Sequence, residues 1–337
     1  MAEIQPDSIL EELKVNVGVI GATGLVGSTM ISLLEERRFP VGMLRAFASE
    51  NSVGIHIDWQ DEDVVIERAD NADYSGLDIV FFSAGQTVSK NLVPVVTDAG
   101  AVVIDNSSEW RKDPNVPLVV SEVNPGDLSY RPLGIIANPN CTTMIAMPVL
   151  KPLHVEAGLE ALTVTTFQAV SGAGSKGIYE LAEQTKEQTL PIVFPEQIAY
   201  NVIPQRGNKI GRDTDEEMKL IFETRKILHL GELTVSVTCV SVPIFTGHSL
   251  SIEAKFRDEI SPARAEELLT VAEGVELSDI PTPKKAVGGN KSLVGRIRQS
   301  NVYGKRGLSL FIAGDNLRKG AALNAVQIAE IIQKEIS

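Results

Sequence analysis

A cysteine at the start of a predicted helix is the residue whose context most clearly suggests chemistry. Cys141 follows the apolar run 135–137 and precedes a helical stretch over 144–153. A helix N-terminus favours the thiolate, which is the nucleophilic form of cysteine. Cys239 lies inside an alternating, strand-like run, and this pattern predicts a buried, unreactive thiol. The sequence therefore predicts Cys141 as a catalytic nucleophile.

Three glycines between a predicted strand and a predicted helix suggest a dinucleotide site. Gly21, Gly24 and Gly27 follow the β-branched run 15–20 and lead into the helical stretch 25–37. Glycines there allow a pyrophosphate to approach, and the free N–H groups and dipole of the helix stabilise its charge. The spacing departs from the usual G-x-G-x-x-G, so a strand-to-helix turn without a ligand is the alternative. The βαβ context favours the dinucleotide.

The loop after the second strand is expected to meet the adenosine ribose of that dinucleotide. Ser49, Asn51 and Ser52 can hydrogen-bond a 2′-phosphate, whereas Glu50 would repel a phosphate and can instead hold a free 2′-hydroxyl. NADP, NAD and an ordinary polar loop are three open alternatives at this point. A thiolate beside a nicotinamide indicates aldehyde oxidation, or its reverse, through a thioester.

Thioester chemistry also needs an acid or base and groups that bind anions. His248 lies between two predicted strands, where loops tend to carry function, while the other three histidines have the pattern of surface or packing residues. Arg111 follows the end of a predicted strand, at the edge where doubly wound sheets bind ligands. Glu216 and Lys219 share one face of a helix predicted over 215–228, although spacing alone favours a solvated ion pair.

The elements that must position these residues fall into two groups. In the first 138 residues, short apolar strands alternate with helix-like segments, which predicts an α/β, doubly wound parallel sheet covered on both faces. Beyond Cys141, longer runs with a period of two predict an α+β domain with a mixed sheet. An amphipathic helix is predicted over 317–336. The strands of the first group are predicted at 15–20, 44–48, 79–82, 102–104, 118–120 and 135–137.

Composition excludes several classes of function. The chain has 337 residues, of which 43% are hydrophobic, so it can bury a large core. Its 31 basic and 44 acidic residues give a net charge of −13, which argues against nucleic acid or an anionic membrane as the main partner. No apolar run is long enough to span a bilayer, and residues 1–14 do not have the pattern of a signal peptide, so a cytoplasmic protein is expected. Two cysteines and four scattered histidines predict neither a disulfide framework nor a metal site.

Taken together, these motifs resemble the aspartate-semialdehyde dehydrogenase family over nearly the whole chain. Members reduce and dephosphorylate 4-phospho-L-aspartate with NADPH on the route to lysine, threonine and methionine. The resemblance implies a Rossmann-type domain over 1–138, completed by a helix over 317–337, and a catalytic and dimerisation domain over 139–316. It also implies a homodimer or homotetramer. The matching segments are 21–27, 105–108, 121–124, 138–143, 168–174, 216–219, 223–227, 242–243, 247–249 and 314–322.

The resemblance also implies a role for individual residues. Cys141 would form the acyl thioester, His248 would accept and donate the proton, and Gln168 would orient the substrate. Glu216 would face the substrate amino group, which overturns the solvated-pair interpretation, and Asn140 would lie beside the nucleophile. The phosphate would be bound by Arg111 and Lys219. Dinucleotide contacts are implied for Thr23, Gly24, Leu25, Val26, Ser171, Gly172 and Asn316.

Two positions depart from the family pattern. Members usually carry an arginine seven residues before the histidine, where it binds the substrate carboxylate, and this chain has Ser241 there. A serine cannot replace a bidentate guanidinium, so a nearby cation such as Arg206 or Arg225 would have to compensate. In the adenosine loop, members usually have an arginine where this chain has Asn51, after Glu50, so NAD is possible besides NADP.

The Ser241 departure leaves other functions open. The activity could be weakened or directed to another acyl phosphate. N-acetylglutamyl-phosphate reductase fits less well, because that family has a Pro-Gly-Cys pattern and this chain reads Asn-Cys-Thr-Thr. A binding or regulatory homologue without catalysis is opposed by the presence of Cys141, Gln168 and His248.

Overall fold

The computed structural model describes residues 14–60, 62–187 and 189–336. These residues form two compact units. The first comprises the described residues up to Ser121, Pro125–Pro139, and the chain from Ala322; the second comprises Glu122–Asn124 and Asn140–Ala321. The amino-terminal residues to which the signal-peptide argument applies lie mostly outside the described part, as does Ser337 of the expected C-terminal helix.

Fifteen strands and eight α-helices occur within the described residues. The strands are β1 Val15–Ile20, β2 Val41–Ala48, β3 His56–Trp59, β4 Glu62–Arg68, β5 Ile79–Phe82, β6 Val102–Asp105, β7 Ile135–Ala137, β8 Leu159–Gln168, β9 Lys209–Ile210, β10 Asp213–Thr214, β11 Thr234–Ser241, β12 His248–Phe256, β13 Val275–Leu277, β14 Ser292–Ser300 and β15 Gly304–Gly314. The helices are α1 Leu25–Glu36, α2 Gln86–Asp98, α3 Cys141–Ala157, α4 Ser175–Lys186, α5 Asp215–Leu228, α6 Pro262–Thr270, α7 Pro283–Ala286 and α8 Leu323–Ile336.

The first unit is built on a doubly wound sheet, as the sequence predicts. Within the described residues the strand order is β3-β4-β2-β1-β5-β6-β7. All neighbours are parallel except β3 and β4, which form an antiparallel pair at one edge. The order reverses between β1 and β5, and ligands of such sheets bind beyond the carboxyl ends of the strands at this point. The glycine turn after β1 therefore lies at the expected binding edge.

The core of the first unit explains why its helices form where they do. Met30, Leu33 and Leu34 recur at helical spacing on α1 and are fully buried with the strands of the sheet. Burial of each such side chain stabilises the fold by about 1.5–3 kcal/mol. Helix α8 adds Ile328 and Ile332 to the same core. The C-terminal helix is thus part of the first unit.

The second unit contains a mixed six-stranded sheet in its described residues. Its order is β11-β8-β12-β15-β14-β13. Strand β11 runs parallel to β8, and β13 runs parallel to β14, whereas the other neighbours are antiparallel. Helix α3 packs on β12, β14 and β15. This mixed sheet confirms the predicted α+β character.

Three local predictions are wrong. The run 118–120 is not a strand, because only Leu118 forms a bridge with Ala137. His248 is the first residue of β12 and not a loop residue. The segment from 317 is not one α-helix. The N–H of Gly320 donates to the carbonyl of Asp315, five residues back, and a π-helical turn over Arg318–Ala322 precedes α8.

No helix among the described residues is long and apolar enough to cross a membrane.

Candidate active site

Cys141 is the first residue of α3, and the residue before it caps that helix. The side-chain oxygen of Asn140 accepts from the N–H of Thr142 at 3.0 Å and from its hydroxyl at 2.7 Å. The Cys141 thiol donates to the same oxygen over 3.8 Å. Asparagine satisfies helix N–H groups well in this position. The cap therefore fixes the sulfur at the positive end of the helix dipole.

The two cysteines are both free thiols but differ in accessibility. Cys141 is partly exposed, whereas Cys239 is completely buried inside β11. Burial raises the pKa of the Cys239 thiol far above its ordinary value, and the acidic Glu216 and Glu217 nearby act in the same direction. Cys239 is therefore a packing residue, as its strand pattern predicts.

Glu216 is the centre of a buried polar cluster next to the cysteine. Its Oε1 accepts from Asn140 Nδ2 and from Gln168 Nε2, each at 2.9 Å, and its Oε2 accepts from Lys219 Nζ at 3.2 Å. Burial alone would raise the pKa of this carboxyl, but Lys219 and the two amides outweigh it and lower the pKa to about 2. Glu216 is thus a buried anion, and the solvated-pair interpretation is wrong.

Helix α5 presents further charged residues to this cluster. Lys219 also donates to Asp215 at 3.2 Å. Burial would lower the pKa of Lys219, but Glu216 and Asp215 raise it, so the ammonium is charged. Glu223 accepts from the backbone N–H of Asn140 at 2.7 Å and is almost completely buried. Sequence analysis did not single out Glu223, although its spacing of seven from Glu216 places both on one helix face.

His248 is completely buried and held by one backbone group. Its Nδ1 accepts from the N–H of Ala169 at 3.0 Å, and its Nε2 has no hydrogen-bond partner in the described part of the chain. The pKa of His248 is lowered to about 3, mainly by burial and then by the charge of Arg206. The ring is therefore neutral, and its proton lies on Nε2.

Three residues expected at the cofactor come from separate segments of the second unit. Asn316 Nδ2 donates to the Ser171 hydroxyl at 3.0 Å, and Asn316 Oδ1 accepts from the N–H of Gly247 at 2.8 Å. The neighbouring Gly172 is exposed. A Cβ at Gly172 would lie 3.2 Å from His248 Nε2, so a larger residue would crowd the histidine. These bonds connect the segment after β8 to the start of β12.

In the first unit, the glycine turn has the geometry that a pyrophosphate requires. Gly21 has φ +83°, and a Cβ there would lie 2.3 Å from the Ser83 carbonyl oxygen. A Cβ at Gly27 would lie 2.2 Å from the Gly21 oxygen. Thr23 and Gly24 are exposed, and no side chain caps α1. The open helix N-terminus fits the dinucleotide that the sequence predicts there.

Comparison with known proteins identifies the family. A model described as the semialdehyde dehydrogenase NAD binding domain matches residues 16–130, and one described as the semialdehyde dehydrogenase dimerisation domain matches residues 150–319. The aspartate-semialdehyde dehydrogenase of Streptomyces akiyoshiensis is 55% identical over 339 residues, which cover 95% of this chain and 99% of that protein. The chain belongs to the aspartate-semialdehyde dehydrogenase family. This similarity does not favour the alternative acyl-phosphate reductases.

Solved structures of the family agree with this assignment. Aspartate semialdehyde dehydrogenase II from Vibrio cholerae, complexed with ASA, has a TM-score of 0.94 and 40% identity, covering 96% of this chain and 99% of that chain. The enzyme from Candida albicans with NADP has a TM-score of 0.76 and 25% identity, covering 96% and 100%. As a family member, the chain is an NAD(P)-dependent phosphorylating dehydrogenase that has a dimerisation domain.

Ser241 occupies the position at which the family resemblance implies a carboxylate-binding arginine. Ser241 is completely buried and lies opposite Gln168 in the register of β11 and β8. Its hydroxyl lies 3.5 Å from the Gln205 carbonyl oxygen. Of the two compensating cations expected from the sequence, Arg225 donates through Nε to the Leu233 carbonyl at 2.8 Å, and Arg206 is the one that approaches His248.

A cation that sequence analysis missed lies next to the loop expected to meet the adenosine ribose in this family member. Arg68, at the end of β4, pairs with Glu50 at 3.0 Å and with Asp70 at 2.5 Å. The Ser52 hydroxyl lies 3.4 Å from that of Thr23, so this loop adjoins the glycine turn. Glu50 is therefore not an isolated negative charge. The order of β2 and β4 in the sheet, which the sequence pattern did not reveal, is what brings Arg68 here.

Arg111, expected to bind phosphate, belongs to the first unit and is buried. Its Nη2 donates to the Asn106 carbonyl at 2.9 Å, directly beyond the end of β6. This position is the carboxyl edge of the sheet, as the sequence predicts.

Proposed function

We propose that this protein catalyses the NADPH-dependent reductive dephosphorylation of 4-phospho-L-aspartate to L-aspartate 4-semialdehyde, in the biosynthesis of lysine, threonine and methionine. The observation that carries the proposal is the cluster at the start of α3, where Asn140 links Cys141 to the ionised Glu216. A fixed anion beside a cysteine at a helix N-terminus matches a substrate with an acyl group and an ammonium group. The Vibrio cholerae relative complexed with ASA supports this substrate.

Cys141 forms and breaks the covalent bonds in this proposal. Its thiolate attacks the carbonyl carbon of the acyl phosphate, a carbon–sulfur bond forms, and phosphate leaves with the electron pair of the broken carbon–oxygen bond. A dinucleotide held at the glycine turn would supply the hydride that reduces this thioester. The resulting oxyanion re-forms a carbonyl, the carbon–sulfur bond breaks, and the thiolate is regenerated. One proton is consumed overall, because the departing phosphate takes up a proton at neutral pH, whereas the thiolate leaves as an anion.

His248 provides a hydrogen-bond donor to this sequence. Because its Nδ1 accepts from Ala169, the proton of the neutral ring lies on Nε2. That N–H donates to the carbonyl oxygen on which negative charge develops, as an oxyanion-hole group does. The family resemblance implies both a donor and an acceptor role, and the Ala169 bond favours the donor role. Acceptance of a proton at Nε2 requires the ring to change its tautomer.

The remaining groups recognise the substrate. Gln168, whose amide donates to Glu216 and whose oxygen accepts from Thr166 at 3.1 Å, orients the acyl group. Glu216 accepts from the substrate ammonium group. The family resemblance implies a phosphate-binding role for Lys219 and for Arg111, because the positive charge of each would offset the negative charge of phosphate. The family resemblance implies that Ser171, Gly172 and Asn316 contact the dinucleotide.

The proposed cofactor is NADP. Two features support it: the Candida albicans relative was solved with NADP, and Arg68 stands beside Glu50 in the adenosine loop. A guanidinium can bind a 2′-phosphate directly, with Ser49, Asn51 and Ser52 as additional hydrogen-bonding groups. The expected homodimer or homotetramer and the cytoplasmic location stay predictions.

The activity is tested by phosphate-dependent reduction of NADP and of NAD with L-aspartate 4-semialdehyde. We expect turnover that needs phosphate, and we expect Cys141→Ala to lower kcat by at least about 1000-fold, since no other group can form the thioester. Cys239→Ala is the control, because this buried thiol has only a packing role. Absence of turnover with both cofactors would overturn the proposal, and full activity of Cys141→Ala would overturn the thioester route.

A further inference from the structure

We propose that Arg206 binds the α-carboxylate of the substrate, beside Glu216, which binds the neighbouring ammonium group. This assignment deepens the proposed function and rests on it. Arg206 follows a segment that is fixed against β11, because Ile203 and Ser241 exchange two backbone hydrogen bonds of 3.0 and 2.9 Å. The backbone three residues before Arg206 is thus held by hydrogen bonds to the sheet.

The guanidinium of Arg206 and the ring of His248 both lie close to Gly172. A Cβ placed on Gly172 would lie 2.7 Å from Arg206 Nη2 and 3.2 Å from His248 Nε2. Gly172 leaves space in which both groups can face the same small molecule. A side chain at this position would fill that space.

The charge of Arg206 is not committed to another residue. It forms no ion pair or hydrogen bond with any other residue that the structure describes, and its Cζ lies 5.7 Å from the ring centre of Phe194. An aromatic face can orient a guanidinium without occupying its N–H groups. Lys219, in contrast, already contacts Glu216 and Asp215. Arg206 therefore retains the paired donors that a carboxylate accepts.

The arrangement of charges matches the substrate. The α-carboxylate of aspartate 4-semialdehyde lies three bonds from the aldehyde carbon, and the α-carbon to which it is attached also carries the ammonium group. Recognition thus requires a cation and an anion close to the group that polarises the carbonyl. Arg206 influences the pKa of both Glu216 and His248, so its charge faces both. The hydroxyl of Ser241, directed at Gln205, provides no positive charge.

The test compares two aldehydes that differ only in this carboxylate. The substrates are L-aspartate 4-semialdehyde and 3-aminopropanal, assayed with saturating phosphate and NADP in the wild type, Arg206→Ala and Arg206→Lys. Arg212→Ala, which removes an exposed arginine from the turn between β9 and β10, is the matched control. We expect Arg206→Ala to lower kcat/KM for the semialdehyde by about 100-fold or more, chiefly through KM, because a charge-assisted pair is lost.

Activity on 3-aminopropanal separates a lost contact from a damaged fold. The activity on 3-aminopropanal and the KM for phosphate should both change little in Arg206→Ala. For the semialdehyde, kcat/KM of Arg206→Lys should lie between the values of the wild type and Arg206→Ala. Equal losses on both aldehydes, or a rise in the KM for phosphate alone, would overturn the assignment. An inactive wild type would overturn the proposed function itself, whereas an active wild type with an equally active Arg206→Ala would overturn only the role of Arg206.

Discussion

Burial at a single residue, His248, should leave a measurable dependence of stability on pH. The pKa of this histidine falls from an ordinary 6.5 to about 3 in the folded protein, through burial and then the charge of Arg206. Below pH 6.5 the unfolded chain binds a proton that the folded chain does not, so acid favours unfolding until the folded pKa is reached. The expected slope is about 1.4 kcal/mol per pH unit.

His248→Asn should remove this slope, because the amide oxygen can still accept from Ala169 but does not titrate. The free energy of unfolding from urea titrations of both proteins at pH 7, 6 and 5 is the measurement. The pKa of Glu216 is lowered from 4.5 to about 2. Its ionised carboxylate therefore does not change stability between pH 7 and 5, because this stabilisation is lost only when the pH falls below the ordinary pKa of 4.5. Parallel pH profiles for the two proteins would contradict the prediction.

Arg68 should determine the choice of cofactor. If it binds the 2′-phosphate, Arg68→Ala should raise the KM for NADP by about 10-fold or more and leave the KM for NAD nearly unchanged, since a hydrogen bond to a charged group is lost. Glu50→Gln should act in the opposite direction, because it removes the carboxylate that now pairs with Arg68. Steady-state kinetics with both cofactors provide the measurement. Equal changes for NADP and NAD in Arg68→Ala would contradict it.

Sequence reasoning at this scale could identify residue types but not the direction of a side chain. The spacing of Glu216 and Lys219 places them on one helix face, yet burial of that face depends on how α5 packs. Arg68 is an example of a group that no local pattern identifies, because its partner Glu50 is 18 positions away and meets it only through the sheet. Long-range contacts of this kind decide which charges belong to a site.

At the level of elements, the Asn140 cap links stability and activity. Asn140→Ser keeps an oxygen that can accept from Thr142, but it removes the amide that donates to Glu216. Asn140→Ala removes both. We expect both variants to lose activity, and we expect Asn140→Ala to be less stable than Asn140→Ser by about 1 kcal/mol, the usual value of an N-cap. Urea unfolding measures the difference, and equal stabilities would show that the cap does not stabilise α3.

Elements with strong periodicity were predictable from the sequence. The predicted bounds of β1 and α5 are confirmed, because turn residues or a capping residue mark their ends. The pair β3 and β4 was missed because polar and charged residues occupy much of it. The π-helical turn before α8 was missed because it depends on Asp315, whose side chain accepts from the N–H groups of Leu317 and Arg318. Strand order could not be predicted either, since it depends on contacts between distant segments.

At the scale of the whole molecule, apolar surface on the second unit points to self-association. Leu190, Ile192 and Tyr200 are 85%, 89% and 84% exposed, and all three follow α4 within the region that matches the dimerisation domain. An apolar residue gains about 25 cal/mol for each Å² that a partner removes from water. Three such side chains within eleven residues are therefore expected to be covered by a second copy of the chain.

Ile192→Asp and Tyr200→Asp should both weaken this association. A carboxylate in an apolar interface loses its hydration without gaining a partner, so we expect the dissociation constant of the dimer to rise by about 100-fold or more. Val95→Asp is the control, because Val95 is half exposed on α2 of the first unit, outside the dimerisation domain. Light scattering over a concentration series measures the mass of each protein. If the two variants keep the wild-type mass while Val95→Asp dissociates, the interface lies on the first unit, and the apolar segment after α4 has another role.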